Sequence, residues 1–381
     1  MVSNTPLMDR LAARTVEGHV PLNVHFDLTY RCNEKCVHCY LDHEDYGEMT
    51  GVEIFEVLEQ LAEAGTLFLT FSGGEIFLRG DFFDILERSR SLHFDLSLKT
   101  NALLITAARA ARLRALGVHR VQISVYSNDP AVHDAITLAP GSLERTLAAI
   151  PLLKEAGIPV KLACPLMRQN LLAYRGVMAL AERLGVTYVF DMTITPMIDG
   201  NTSILKHRVS GSELLPVMQD PALHPRRLSE PGAECSSSDP VLGSVTSSGM
   251  ESGAYDDIPC SAGHNSCYIS PYGDVYPCVQ MPLPAGNLRR QRFSEIWEGS
   301  SAFARVRAIR ESQLPVCSVC PIQKYCERCP GLALMEGADL LGAYERACDL
   351  AEHKARLAGV VQPISTWHER GIGKGLVLGQ A

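Results

Sequence analysis

A chain of 381 residues is long enough for two ordinary domains, or for one large α/β domain with an appendage, and 46% hydrophobic residues give it an ample core. Its 35 Lys and Arg against 43 Asp and Glu leave a formal charge of −8, which argues against a nucleic-acid backbone as the main partner. The first twenty residues lack an apolar signal-peptide core and no apolar run reaches membrane-spanning length, so the expectation is a cytoplasmic protein with no membrane partner, whose 13 cysteines serve metal or redox chemistry rather than disulfides.

Residues 1–20 read as an N-terminal extension, in which Leu7, Met8, Leu11 and Ala12 mark one helical turn or two. From 21 to 228 strand and helix alternate. Strand-like runs cover 23–29, 67–72, 94–99, 120–125, 160–164 and 188–195. In the first intervening helix Ile54, Val57, Leu58 and Leu61 recur at i, i+3, i+4 and i+7, which places them on one face. Thr50 followed by Glu53 has the pattern of a capping box. Gly65, Gly117, Gly157 and Gly185 each follow a helical stretch, where a left-handed C-cap is wanted. Six strand–helix units predict a parallel sheet with right-handed crossovers. They are too few for a closed eight-stranded barrel, so an open partial barrel fits best.

Residues 229–258, rich in Ser, Gly and Pro, read as a loop or linker. The segment 259–358 is cysteine-rich, with short strands over 268–270 and 274–276 joined by Pro271-Tyr272-Gly273, a hairpin turn. With so few apolar runs it would draw its stability from metal. No function is legible in the tail 359–381, and there is no internal repeat.

The cysteines fall into two groups. Cys32, Cys36 and Cys39 are spaced Cys-x3-Cys-x2-Cys directly after the first strand, at the sheet end that carries active sites in parallel α/β folds. Three thiolates leave one iron of a four-iron cubane open to a ligand. A zinc knuckle with His25, His38 or His43 as fourth ligand uses the same residues. Cys260, Cys267, Cys278, Cys317, Cys320, Cys326, Cys329 and Cys348 are eight thiolates, enough to close two cubanes or to fill two four-cysteine zinc sites. Cys164 reads as a small buried hydrophobe. Cys235 reads as an exposed bystander in the Ser/Gly-rich loop, or, more sharply, as a thiol facing substrate. The second strand ends in Ser72-Gly73-Gly74-Glu75, where paired glycines let a ligand approach the backbone and a carboxylate can meet an ammonium group.

The first cysteine group with Gly73-Gly74-Glu75, supported by Thr100-Asn101 and Ser124, resembles the radical S-adenosylmethionine (SAM) superfamily. The resemblance implies a partial (β/α)6 TIM-like barrel. It implies a [4Fe-4S] cluster on Cys32, Cys36 and Cys39, with SAM chelating the fourth iron. Gly73, Gly74 and Glu75 would bind the SAM amino group, and Lys99, Asn101 and Ser124 its ribose and carboxylate. Backbone near His38 would touch the adenine and Ile194 would pack on it. Many members carry Arg-Gly shortly after a His-Asp pair; here His133-Asp134 is followed by Thr137-Leu138 at that place. The second cysteine group is similar to the SPASM extension, apart from Cys326-x2-Cys329 where x3 is usual. That likeness implies a small C-terminal iron–sulfur domain with two further [4Fe-4S] clusters, one on Cys260, Cys267, Cys278 and Cys329 and one on Cys317, Cys320, Cys326 and Cys348.

Such enzymes mostly modify ribosomal peptides or proteins, and others act on haem-type tetrapyrroles. The Val279-Gln280 pair after Cys278 disfavours the sulfatase-maturating reaction, which uses an Asp there, and the 260–278 segment resembles peptide maturases of the mycofactocin type. The expectation is a peptide or small-protein substrate, with a separate leader-binding protein and a flavodoxin or ferredoxin reductant as partners. Alternatives are a tetrapyrrole side-chain modifier and a non-enzymatic zinc scaffold. No catalytic acid or base is legible. Asp191, Asp199, Tyr188 and Thr195 near the sixth strand's end each have a simpler reading as strand-edge or loop residues.

Overall fold

The computed structural model describes residues 7–223 and 257–360. Cys235, nearly all of the 229–258 segment and the tail from 361 lie outside the described residues.

The chain opens with α1 (Leu7–Glu17), an eleven-residue helix longer than the turn or two expected from its apolar residues. Tertiary contact stabilises it: Thr15 and Val16 are buried, and the Asn265 amide donates to Thr15 Oγ1 at 3.1 Å. Six strands follow, β1 (Asn23–Thr29), β2 (Phe68–Gly73), β3 (Asp95–Thr100), β4 (Val118–Ser124), β5 (Val160–Pro165) and β6 (Thr187–Asp191). The crossovers carry α2 (Gly51–Glu63), α3 (Phe82–Ser91), α4 (Ala107–Ala115), α5 (Pro130–Thr137), α6 (Ser142–Glu155) and α7 (Tyr174–Leu184). The capping box forms at Thr50 and Glu53, and α2 buries Ile54, Val57, Leu58 and Leu61. All four glycines flagged as C-caps have positive φ, from 61° to 89°. β6 stops at Asp191, four residues short of expectation, because Asp191 Oδ1 accepts from Thr193 N at 2.8 Å and turns the chain.

After α8 (Gly211–Met218) come β7 (Ser266–Ile269), β8 (Asp274–Tyr276) and β9 (Gly286–Asn287), then α9 (Phe293–Gly299), α10 (Ser301–Arg307), α11 (Pro330–Gly337) and α12 (Glu345–Leu357). The three late strands do not make a sheet of their own. β7 pairs in parallel with β1, giving one nine-stranded sheet in the order β6-β5-β4-β3-β2-β1-β7-β8-β9. The hairpin of β7 and β8 is antiparallel, as the Pro-Tyr-Gly turn predicts. Side chains of β1 alternate. Val24, Phe26 and Leu28 join the apolar core under the helices, while His25 and Asp27 point to the other face. Among the described residues no helix is long and apolar enough to cross a membrane.

The segment standing in place of Arg-Gly has a structural task. Lys35 N donates to Thr137 O at 3.1 Å and Val37 N to Ile136 O at 2.9 Å, so the end of α5 holds the cysteine loop. Leu138 then takes a left-handed conformation (φ 54°, ψ 30°) and is 59% exposed. A non-glycine residue there is strained. Leu138→Gly is therefore expected to raise stability by up to about 1 kcal/mol, read from chemical denaturation, since little packing is lost.

Candidate active site

The cysteine loop leaves β1 and lies directly on the end of β2. Gly74 N donates to Thr29 O at 2.7 Å and Glu75 N to Arg31 O at 2.9 Å. A Cβ on Gly73 would sit 2.1 Å from Thr29 O, and one on Gly74 would sit 2.3 Å from Arg31 O. Gly73 also has φ +128°. The paired glycines thus admit the loop's own backbone, and both also line the cavity beneath it.

Glu75 stands behind that wall. It is fully buried and does not line the cavity. Its carboxylate accepts from Thr100 Oγ1 at 2.7 Å, Asn101 N at 2.9 Å and Phe77 N at 3.0 Å. Burial pushes its pKa up while these donors pull it down. The amide of Asn101 donates in turn to Asn33 Oδ1 at 2.7 Å, beside Cys32. A polar chain therefore runs from β2 through β3 to the cysteine loop.

The cavity has a volume of about 340 Å³, within the range of small-molecule sites. The structure brings Cys32, Cys36, Cys39, His38, Gly73, Gly74, Lys99, Asn101, Ser124 and Ile194 to its wall. Of the residues considered for acid–base work, Asp191 and Thr195 also reach it, whereas Tyr188 packs against the core and Asp199 does not line it. Cys164 is buried, 1% exposed, among apolar side chains. Missed from the sequence were Glu34, Gln122, Tyr126, Gln280 and Met335, all on the wall. Period-two alternation could have flagged Gln122, which precedes Ser124 by two on β4. Nothing local marks Gln280 and Met335, which arrive from the cysteine-rich segment.

Burial raises all three loop thiols, Cys32 to about 12 and Cys39 to about 11. These are not free thiolate nucleophiles; a bound metal would supply the positive charge that deprotonates them. Three polar atoms of the same loop, Glu34 Oε1, His38 Nδ1 and His43 Nδ1, are buried without a hydrogen-bond partner, and their residues line the cavity. Burial holds the His38 imidazole down at about 4, hence neutral. Lys99 is the cation of the cavity wall. Desolvation lowers its pKa against the opposing pull of Asp27, Cys278 and Asp191. This polar, partly unsatisfied wall fits a ligand carrying both charges, as SAM does.

The later cysteines form two sets. Cys326 and Cys348 lie within electrostatic reach of each other and of Cys317 and Cys320. Cys278 lies within reach of Cys260 and Cys329. Gly331 makes the second set possible: a Cβ there would meet Gln280 O at 2.3 Å, so its absence lets the start of α11, with Cys329, close on the Cys278 segment. Cys267, expected to share a cluster with that set, stands on the other face of the sheet. It pairs with Val24 across β1 and β7, so its side chain takes the helix-facing side and enters the core with Phe293, Trp297 and Phe303. Its neighbour Tyr268, level with His25, takes the inner side and donates to Asp27 Oδ2 at 2.9 Å. Among the described residues no three Cys, His, Asp or Glu side chains gather as tightly as a single ion needs. A cubane spreads its thiolates wider, one to each iron.

Known proteins resemble this chain in sequence and in fold. Residues 26–194 match the radical SAM superfamily domain, and residues 260–321 match SPASM, an iron–sulfur cluster-binding domain. The chain is 29% identical over 338 residues to an AdoMet-dependent heme synthase of Methanosarcina barkeri, covering 85% of this chain and 95% of that one. It is 29% identical over 312 residues to a mycofactocin maturase of Mycobacterium tuberculosis, covering 77% of this chain and 73% of that one. Streptococcus suis SuiB bound to its precursor peptide SuiA shares the fold, with a TM-score of 0.67 at 17% identity over 91% of this chain and 82% of that chain.

Two substitutions test the architecture. Gly73→Ala is expected to cost at least about 2 kcal/mol in chemical denaturation, since the loop must lift from β2. Glu75→Gln turns an amide NH2 on donors that now meet a carboxylate, and is expected to cost about 1–3 kcal/mol.

Proposed function

From a chain that is an S-adenosylmethionine-dependent radical SAM enzyme with a SPASM domain, we propose a peptide-modifying activity that begins with hydrogen abstraction. The single observation that carries the reading is the convergence of Cys32, Cys36 and Cys39 with Gly73, Gly74, Lys99, Asn101, Ser124 and Ile194 on one cavity. In this reading the three cysteines hold a [4Fe-4S] cluster that, when bound, supplies the electron for splitting SAM into methionine and a 5′-deoxyadenosyl radical. The protein's own contribution is placement. Gly73 and Gly74 present backbone to the cofactor's amino acid end, Asn101 and Ser124 present polar groups, and Lys99 offers a cation to a carboxylate. Ile194, 3% exposed, offers an apolar surface for the adenine. Glu75 keeps β2 and β3 in register under the cofactor. The SPASM cysteines hold the remaining clusters, three in all.

Likeness to a mycofactocin maturase supports the peptide substrate, with a separate leader-binding protein and a flavodoxin or ferredoxin reductant as partners. One observation favours a second reading, tetrapyrrole side-chain modification: the heme synthase matches at the same identity over more of both chains. The zinc-scaffold reading falls, since the chain is an enzyme.

Anaerobically reconstituted protein is expected to be brown, to hold about twelve irons, and to release 5′-deoxyadenosine with dithionite. Replacing Cys32, Cys36 and Cys39 together by Ala should abolish that release and remove about four irons; persistence of release would refute their role. Genes beside this one decide the substrate class. A short open reading frame with a small leader-binding protein favours the peptide, and haem-pathway neighbours with spectral binding of a propionate-bearing iron porphyrin favour the tetrapyrrole.

A further inference from the structure

The cysteine set beside the cavity has one thiol fewer than the spacing of the late cysteines predicts. Strand parity decides it. In a parallel pair, residues level with each other share a face. Cys267 is level with Val24 and Tyr268 with His25. Val24 lies in the apolar core and His25 lines the cavity, so Cys267 and the cavity lie on opposite faces of the sheet. Cys267 is 3% exposed, and the charge that acts on its thiol is that of Arg307 of α10. The Arg307 guanidinium lies over the Trp297 ring at 4.7 Å, and Trp297 belongs to the same apolar core as Cys267. Bringing Cys267 to the inner face would require a one-residue slip of β7, and that slip would carry buried Tyr268 away from Asp27 and Tyr30, its hydrogen-bond partners at 2.9 and 2.7 Å.

The other three thiols are placed together. Cys278 lies within reach of Cys260 and Cys329, and also of Lys99 on the cavity wall. Gln280 lines the cavity, and the Cys329 thiol lies 3.9 Å from its Oε1. This set therefore shares a wall with the SAM cavity. The set of Cys317, Cys320, Cys326 and Cys348 has four members and needs no addition.

We propose that the auxiliary cluster beside the cavity is held by Cys260, Cys278 and Cys329 alone, that Cys267 is a core residue, and that one iron of this cluster is open to a thiolate or another soft donor from substrate or solution. The proposal rests on the reading that the SPASM cysteines bind clusters. A three-thiolate site would give the enzyme a second open iron besides the one that SAM would meet, on the wall this set shares with the cavity.

Iron counting separates the two ideas. Cys267→Ala is expected to keep about twelve irons in the reconstituted protein, whereas Cys278→Ala is expected to lose about four. Equal iron loss from both variants, each with an unchanged far-UV circular dichroism spectrum, would overturn the proposal and leave cluster binding standing. Wild-type protein holding only about four irons would overturn both. A second measurement needs no change at Cys267. In the variant with Cys32, Cys36 and Cys39 replaced by Ala, the reduced auxiliary clusters are examined by electron paramagnetic resonance with and without 2-mercaptoethanol. One of the two signals should shift on addition of the thiol. Two signals indifferent to it, in protein that holds about eight irons, would sink the open-iron assignment.

Discussion

The site depends on a close contact between two stretches of backbone. Thr29–Arg31 lies on Gly73-Gly74 so tightly that no side chain fits between, and two hydrogen bonds of 2.7 and 2.9 Å close the contact. It fixes where the cysteine loop leaves the sheet, and so where three thiols point. Glu75 extends the constraint sideways. As a buried carboxylate it must be fully hydrogen-bonded, and its donors are Thr100 and Asn101 at the end of β3 and Phe77 just past β2. One buried charge therefore aligns the ends of two strands and, through Asn101 and Asn33, steadies the loop that carries Cys32.

The cysteine-rich segment is joined to this arrangement by the sheet itself. Because β7 adds to β1 in parallel, the late cysteines stand at a fixed register against the cavity rather than on a separate appendage. The same pairing sets the face of each residue on β7. Tyr268 meets Asp27 and Tyr30 inside, and Cys267 goes to the core outside. Register thus acts as a filter on which thiols can share a cluster. It also lets Val279, Gln280 and Met335 complete a wall that otherwise belongs to the barrel.

The strained Leu138 shows how a departure from the family pattern is absorbed. The carbonyls before it receive Lys35 and Val37 of the cysteine loop, so the α5 terminus holds that loop through its backbone and not through the side chains of Thr137 and Leu138. The cost is a left-handed leucine where glycine would be unstrained.

Local pattern was enough for much of this protein. Alternating strands and helices, the capping box at Thr50, and glycines with positive φ after their helices are short-range effects of propensity and sterics, and they were legible in the sequence. So was the convergence of residues at the C-terminal ends of β1 to β4, because parallel topology puts those ends together whatever the details. Long-range facts were not legible. The role of Gly73-Gly74 as a seat for the chain's own loop, the withdrawal of Glu75 behind the wall, and the entry of Gln280 and Met335 into the cavity all depend on what packs across. The sequence by itself determined that eleven cysteines stand at cluster spacing. Only the tertiary structure decided which of them face each other, because a strand alternates its faces and pairing with β1 turned Cys267 away from the rest.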